Sequence, residues 1–405
     1  MGADVAEAAR SMNALFTEAR VALFAKAIAV AFLLAFIATL TSMRDMMLSP
    51  GRGFGGDFVA FYAAGMLARE GRPQAAYDMA AITEAEKRAL PQATYALMYA
   101  YPPVFQMVLK PLAGLPYVWA YVVWAALLFA LHVAVWRVAF GDTPAFWAAL
   151  GCSAVYLNVL HGQNGLLSAA LLGIGLLSLA HRPFLAGIAI GALCYKPQLG
   201  LSVGLLLLAG GQWRAVGGAA LSVVVLCAAS AAVLGPDIWR AFIELGGGAR
   251  VVLEGDGGPL DKIASVYALV RKLGAPVVVA YALHGLVALA VMVLAVRAWR
   301  RGGAELPRIA MAAATVPLVS PYFFDYDLAV IVLPIGALLI DGFRNGWMPG
   351  MRAILLIAWF TPAIAPKLAE HAGLQIMPLA SIALFWMAWR RCESGAEASG
   401  QTRWT

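Results

Sequence analysis

VALFAKAIAVAFLLAFIATLTSM (21–43) is followed after a short interval by GGDFVAFYAAG (55–65). The first stretch is apolar for longer than the roughly 20 residues a helix needs to cross a hydrocarbon core about 30 Å thick. The second sets one carboxylate, Asp57, between a glycine pair and an apolar run of helical period. An acid so close to a membrane-length segment needs a chemical explanation.

The rest of the chain repeats the first pattern. Of 405 residues, 62% are hydrophobic and only 13% charged, and the mean hydropathy is +0.79. That composition describes an all-α polytopic membrane protein, taken here as one integral membrane domain over 1–405. About twelve apolar segments are expected to span: 21–43, 117–138, 145–160, 164–180, 183–195, 197–210, 215–234, 275–297, 307–319, 326–341, 352–366 and 374–390. The short pair 183–195 and 197–210 reads either as a re-entrant hairpin or as two tilted helices. The first 20 residues are polar and mixed in charge, so 21–43 reads as an uncleaved helix.

Lys and Arg in short loops mark the cytoplasmic side. With the N-terminus inside, those loops hold Arg137, Arg182, Arg214, Arg297, Arg300, Arg301, Arg308, Arg344, Arg352, Arg390 and Arg391; the opposite short loops hold Lys196 and Lys367. Both termini, including a tail over 391–405, are therefore expected in the cytoplasm. Two long loops, 44–116 and 235–274, fall on the outer face, and Asp57 with them. The net charge of +7 is spread over loop ends, which suits lipid headgroups and argues against nucleic acid. Cys152, Cys194, Cys227 and Cys392 form no CxxC pair. His132, His161, His181, His284 and His371 make no HExxH, so no metal or cofactor is expected.

Loop 44–116 is too long for a simple connection. It should carry an amphipathic helix from Asp57 to about residue 70 lying on the membrane, and a polar, exposed helix near 80–90. YAYPPVFQMVLKPLAGLP (99–116), with its proline breaks, should re-enter the outer leaflet. Asp57 has two compatible readings. It caps the helix that follows, or it serves as a general base toward a substrate hydroxyl.

Four blocks carry a family resemblance. They are DFVAFYAAGMLAREGRP (57–73) with Tyr77 and Asp78 after it, YPPVFQMVLKPLAGLP (101–116) with Trp124, HGQNGLLSAALL (161–172), and AGIAIGALCYKPQLGL (186–201). In this order the sequence resembles glycosyltransferase family 87, within the GT-C superfamily of membrane glycosyltransferases, over roughly residues 20–340. The resemblance implies a GT-C-type bundle in a bacterial inner membrane. It also implies transfer of a sugar from a polyprenyl-phosphate carrier to a lipid or glycan acceptor on the periplasmic face. Asp57 takes the place of the catalytic base.

The other candidate residues have chemistry to match. The amides of Gln163 and Asn164 suit sugar hydroxyls, or simply a polar turn. Lys196, flanked by Tyr195, Pro197 and Gln198, must either snorkel or meet an anion such as the donor phosphate, for which Arg52 and Arg69 are further partners. Tyr62, Tyr101 and Gln198 are sugar or acceptor contacts. VSPYFFDYDLAV (319–330) adds Tyr322, Asp325 and Asp327, acids that bind sugar, assist the base or cap a helix. The segment lacks the histidine that mannosyltransferases of the family carry near here, so the sugar stays open between a mannose-like hexose and a pentose. Loop 235–274, with GDGGP (255–259), is expected to cover the acceptor.

The expected reaction is a single displacement that inverts the anomeric carbon, needing no nucleotide. The competing class is a lipid or solute transporter, since many spans with an intramembrane lysine also describe a translocation path. No inverted repeat joins the halves, and a long structured outer loop suits an enzyme better.

Overall fold

Helix length decides which apolar segments can cross a bilayer. The computed structural model describes residues 16–42, 47–49, 52–92, 94, 96–255 and 258–398. Among them, six helices are long and apolar enough to cross: Glu18–Ser42, Tyr117–Phe140, Trp213–Leu234, Val277–Arg301, Asp325–Asn345 and Met351–Ala372. The all-helical membrane architecture is as expected, apart from a small two-stranded ribbon pairing Met47–Ser49 with Arg52–Gly53.

The expected count of about twelve spans is corrected. Segment 145–160 breaks into Pro144–Leu150 and Ser153–His161 at Gly151 and Cys152. Segments 164–180 and 197–210 yield Gly165–Ser178 and Pro197–Ala209, of 14 and 13 residues. At 1.5 Å per residue these helices reach only about 20 Å, short of a full hydrocarbon core. Glu305–Val319 is short as well, and it is buried along most of its length by protein.

Small residues let these short helices pack backbone to backbone. Pro183–Gly191 lies against Trp213–Leu234 so closely that a Cβ on Gly187 would sit 1.9 Å from the Ala215 carbonyl oxygen. A Cβ on Gly218 would sit 2.1 Å from that of Phe184.

The first long loop folds inward. Phe58–Arg69 is the expected helix, but it does not lie on the membrane: nine of its 12 residues are buried. Its apolar residues are spread around the axis, so no broad polar face remains for water. Phe58 and Phe61 pack on Trp124, and Phe61 meets Phe105 edge-on at 5.0 Å. The next helix, Met79–Ala89, is likewise not exposed all round: Ile82, Ala85 and Glu86 face the protein. Pro103–Leu112 runs beside the first of these helices. The buried Gln106 ties it to Phe58–Arg69 and to the turn Pro73–Tyr77 by donating to the Ala64 and Pro73 carbonyls, each at 3.0 Å.

A second long-range tie brings loop 235–274 to the chain around residue 325. Ala264 N–H donates to the Phe323 carbonyl at 2.6 Å, Asp325 N–H donates to that of Lys262 at 2.7 Å, and Ile263 bridges Phe324 in antiparallel fashion. From there Asp325–Ile331, a tight 3₁₀ turn, runs into Val332–Asn345 through the core.

Gly65 measures how close these elements lie. A Cβ there would fall 2.5 Å from the Leu109 carbonyl oxygen and 2.8 Å from the Ala113 methyl. Gly65→Ala should therefore destabilise the protein by about 1–3 kcal/mol, seen as a lower unfolding temperature in detergent. Gly204→Ala, on a helix with open space around it, should leave that temperature unchanged or raise it.

Candidate functional site

A cavity of about 890 Å³ opens between the two long loops. Its wall includes Asp57, Gln163, Lys196, Gln198, Tyr101 and Tyr322, six of the residues singled out in the sequence. Apolar side chains such as Phe61, Leu97, Met98, Phe242 and Leu245 line the rest.

Two glycines carry the chain to this point. Gly55 and Gly56 have φ of 80° and 50°, a left-handed conformation that side chains with a Cβ rarely adopt. There is also no room for one: a Cβ on Gly56 would lie 3.1 Å from the His161 Cα, and one on Gly55 2.9 Å from the Tyr121 ring. The close approach lets Asp57 N–H donate to the His161 carbonyl at 3.1 Å.

Asp57 occupies the N-cap position of Phe58–Arg69, yet its side chain makes no capping hydrogen bond. The carboxylate turns instead toward the cavity. Gln163 Nε2 donates to its Oδ2 at 2.8 Å, and Lys262 Nζ lies 3.9 Å from its Oδ1. Gln163 is itself nearly buried and Asp57 partly so, which fixes the direction of the carboxylate and leaves one side open. A carboxylate so held can take a proton from a hydroxyl brought into the cavity.

Lys196 is placed differently. Its side chain is 3% exposed, and Nζ donates to Asp327 Oδ1 at 2.6 Å, a pair buried on both sides. The ammonium also lies over the rings of Tyr326 and Tyr101, at 4.4 and 5.4 Å. An anion entering the cavity must therefore compete with Asp327 for this lysine. Lys262, with its side chain 46% exposed, is the more accessible cation on the wall.

The remaining candidates divide. Asn164 is fully buried behind Gln163 and does not reach the cavity wall. Asp325 accepts from its neighbour's N–H on Tyr326 at 2.8 Å and stands beside Lys262 through its own backbone N–H. Tyr62 donates to the Leu115 carbonyl at 2.8 Å, outside the cavity. Arg69 ends the helix that Asp57 begins, and 12 residues at 1.5 Å put it about 18 Å away, over Gly114. It cannot share a phosphate with groups at the Asp57 end. The side chain of Arg52 lies outside the described residues.

Three residues entered the site without a signal in the sequence. Lys262 and Tyr281 arrive from distant segments onto the same wall. Glu86, on the helix expected to be exposed, is 2% exposed and accepts from Leu97 N–H at 3.0 Å, which holds the 96–98 part of the wall. Burial pushes its carboxyl up to about 7; the Leu97 N–H opposes this and the Asp57 charge adds to it. Among the described residues no three His, Cys, Asp or Glu side chains group as a metal site would require.

Comparison with known proteins gives one family: the profile of glycosyltransferase family 87 matches residues 99–321. No curated protein and no solved structure matches the chain.

Two outcomes test this geometry. Removing one member of the buried pair strands the other, so Lys196→Met should cost about 3–5 kcal/mol. A Lys196→Met/Asp327→Asn double variant should recover part of that loss in thermal unfolding; an additive loss would contradict the pairing. For Glu86, a folded-state value above the ordinary 4.5 means that the protonated form favours folding. Its contribution is whole below about 4.5 and is lost as pH rises through about 7, on the order of 3 kcal/mol. The wild type should lose unfolding temperature between pH 5 and pH 8, and Glu86→Gln should lose much less.

Proposed function

The chain belongs to glycosyltransferase family 87 and is a membrane glycosyltransferase, and from that premise we propose that the Asp57 cavity is where the sugar is transferred. The donor is a sugar on a polyprenyl phosphate, and the acceptor offers a hydroxyl to Asp57. Asp57 takes that proton as the acceptor oxygen bonds to the anomeric carbon. The bond from that carbon to the phosphate oxygen breaks on the opposite side, and its electron pair leaves on the lipid phosphate. One displacement inverts the centre.

The observation that carries this proposal is the Asp57 carboxylate, turned away from its capping role and held by the Gln163 amide on the wall of a large cavity. A general base needs both a fixed direction and room for its substrate. The apolar part of the wall suits the first isoprene units of a lipid carrier. Lys262 supplies a cation near the reacting end, and Lys196 supplies a second if the phosphate displaces Asp327.

The charge distribution supports an outward-facing site. Tyr117–Phe140 begins beside the cavity, where Tyr117 donates to the Phe54 carbonyl at 2.6 Å, and carries Arg137 toward its other end. Val277–Arg301 places Tyr281 on the cavity wall near its start and ends in Arg300 and Arg301. Arg214 begins Trp213–Leu234, while Lys110 reaches the Val233 carbonyl near its end. The arginine-bearing ends of these helices lie away from the cavity, which under the positive-inside rule supports a periplasmic face for it.

Asp57→Asn should reduce transfer by about 10²–10⁴-fold. Purified variant and wild type are incubated with a panel of polyprenyl-phosphate hexoses and pentoses, and donor consumption is followed by mass spectrometry. Wild-type-like turnover in a folded Asp57→Asn protein would sink the assignment.

A further inference from the structure

The cavity has a second polar region apart from Asp57, Gln163 and the two lysines. Glu254 closes the helix Asp237–Glu254, Tyr281 stands near the start of Val277–Arg301, and Tyr322 follows Pro321 in the segment before Asp325. These three come from separate parts of the chain, yet their oxygens meet. Tyr281 hydroxyl donates to Glu254 Oε1 at 2.5 Å, Tyr322 hydroxyl donates to the same oxygen at 3.2 Å, and the two phenols touch each other. Both tyrosines line the cavity, as does Leu253 beside the acid.

Neighbouring groups hold the cluster in place. The rings of Tyr267 and Tyr281 lie 4.6 Å apart, and Tyr267 meets Tyr322 edge-on at 6.0 Å. Arg271 donates to the Glu254 carbonyl at 3.4 Å and to that of Ala275 at 3.0 Å, pinning the end of one helix near the start of the next. The outcome is two phenols on the cavity wall, hydrogen-bonded to one carboxylate, beside aromatic faces.

We propose that Glu254, Tyr281 and Tyr322 form the acceptor subsite, and that the acceptor is polyhydroxylated, a glycan or the sugar headgroup of a glycolipid. The proposal rests on the glycosyltransferase function assigned to the same cavity. Three features point to this class of ligand. Oxygen acceptors and phenols pair with the hydroxyls of a sugar, and aromatic faces accept its C–H surfaces. The cavity's accessible lysine, Lys262, stands beside Asp57, so a donor phosphate is drawn to that part of the wall. Finally, 890 Å³ approaches the upper end of the roughly 300–1,000 Å³ of a pocket for a drug-sized ligand, well beyond the needs of one sugar ring.

The test uses the full chain in lipid nanodiscs, with the polyprenyl-phosphate sugars above as donors. Acceptors are methyl glycosides, disaccharides, glycolipids and diacylglycerol. Wild type should transfer to at least one carbohydrate acceptor. Glu254→Gln and Tyr322→Phe should then raise the KM for that acceptor by about tenfold or more, the worth of one hydrogen bond to a charged group, with the donor KM within about threefold. Transfer only to diacylglycerol or water overturns the proposal. So does an unchanged acceptor KM in both variants, or an equal rise in both KM values, which a merely structural cluster would give. A wild type that consumes no donor at all contradicts the function itself, a result distinct from these.

Discussion

The hydrogen bond from the Gln163 amide to the Asp57 carboxylate joins the two halves of the site, and it exists only because the backbone segments around Gly56 and His161 come nearly into contact. Glycine at 55 and 56 removes the two Cβ atoms that would hold them apart, and Gly162, with its own φ of 60°, turns the chain on the other side. A Cβ on Gly162 would lie 2.5 Å from that of Phe58. Phe58, Tyr121 and Trp124 pack around the junction, and Trp124 donates to the Gly162 carbonyl at 2.9 Å. Rigid packing of this kind is what turns a surface carboxylate into an aimed one.

Charge on the cavity wall is arranged in two grades of accessibility. The Lys196–Asp327 pair is buried, short and flanked by aromatic rings, so its ammonium is already neutralised at close range. The Lys262–Asp57 contact is longer and partly open to solvent. A phosphate arriving in the cavity would draw Lys262 from Asp57 at little cost, because exposed pairs at such distances are weak. That exchange would release the carboxylate for the acceptor proton at the moment the donor is bound. Lys196, by contrast, costs several kcal/mol to free from Asp327, and its role in holding Asp325–Ile331 within the core does not depend on substrate.

Much of this was legible in the chain, and the exceptions have physical causes. Composition identified a helical membrane protein, the Gly-Gly-Asp step marked the start of a helix, and the order of four blocks indicated the family that the 99–321 match establishes. Hydropathy cannot distinguish an apolar helix that faces lipid from one enclosed by protein, which is why Glu305–Val319 and Gly165–Ser178 read as spans. The burial of Phe58–Arg69 was hidden for the same reason. Partners of Lys196 and Asp57 were out of reach of any local pattern, since Asp327 lies 131 residues from the lysine and Gln163 lies 106 from the acid. Lys262 and Glu254 sat in a loop whose glycines suggested a free cover. Backbone bonds between 262–264 and 323–325, with distant side-chain bonds such as Ser265 to the Pro321 carbonyl, bring that loop to the cavity.

The central claim is that the cavity beside Asp57 receives the lipid-linked sugar. The most direct measurement is an electron cryomicroscopy structure of the full chain in nanodiscs with a polyprenyl-phosphate sugar and Asp57→Asn to hold the substrate. The account predicts density for the sugar against residue 57 and Gln163, with the phosphate at Lys262 or Lys196. Density instead in the apolar groove of about 490 Å³ between Glu18–Ser42 and Trp359, which shares no lining residue with the cavity, would contradict it.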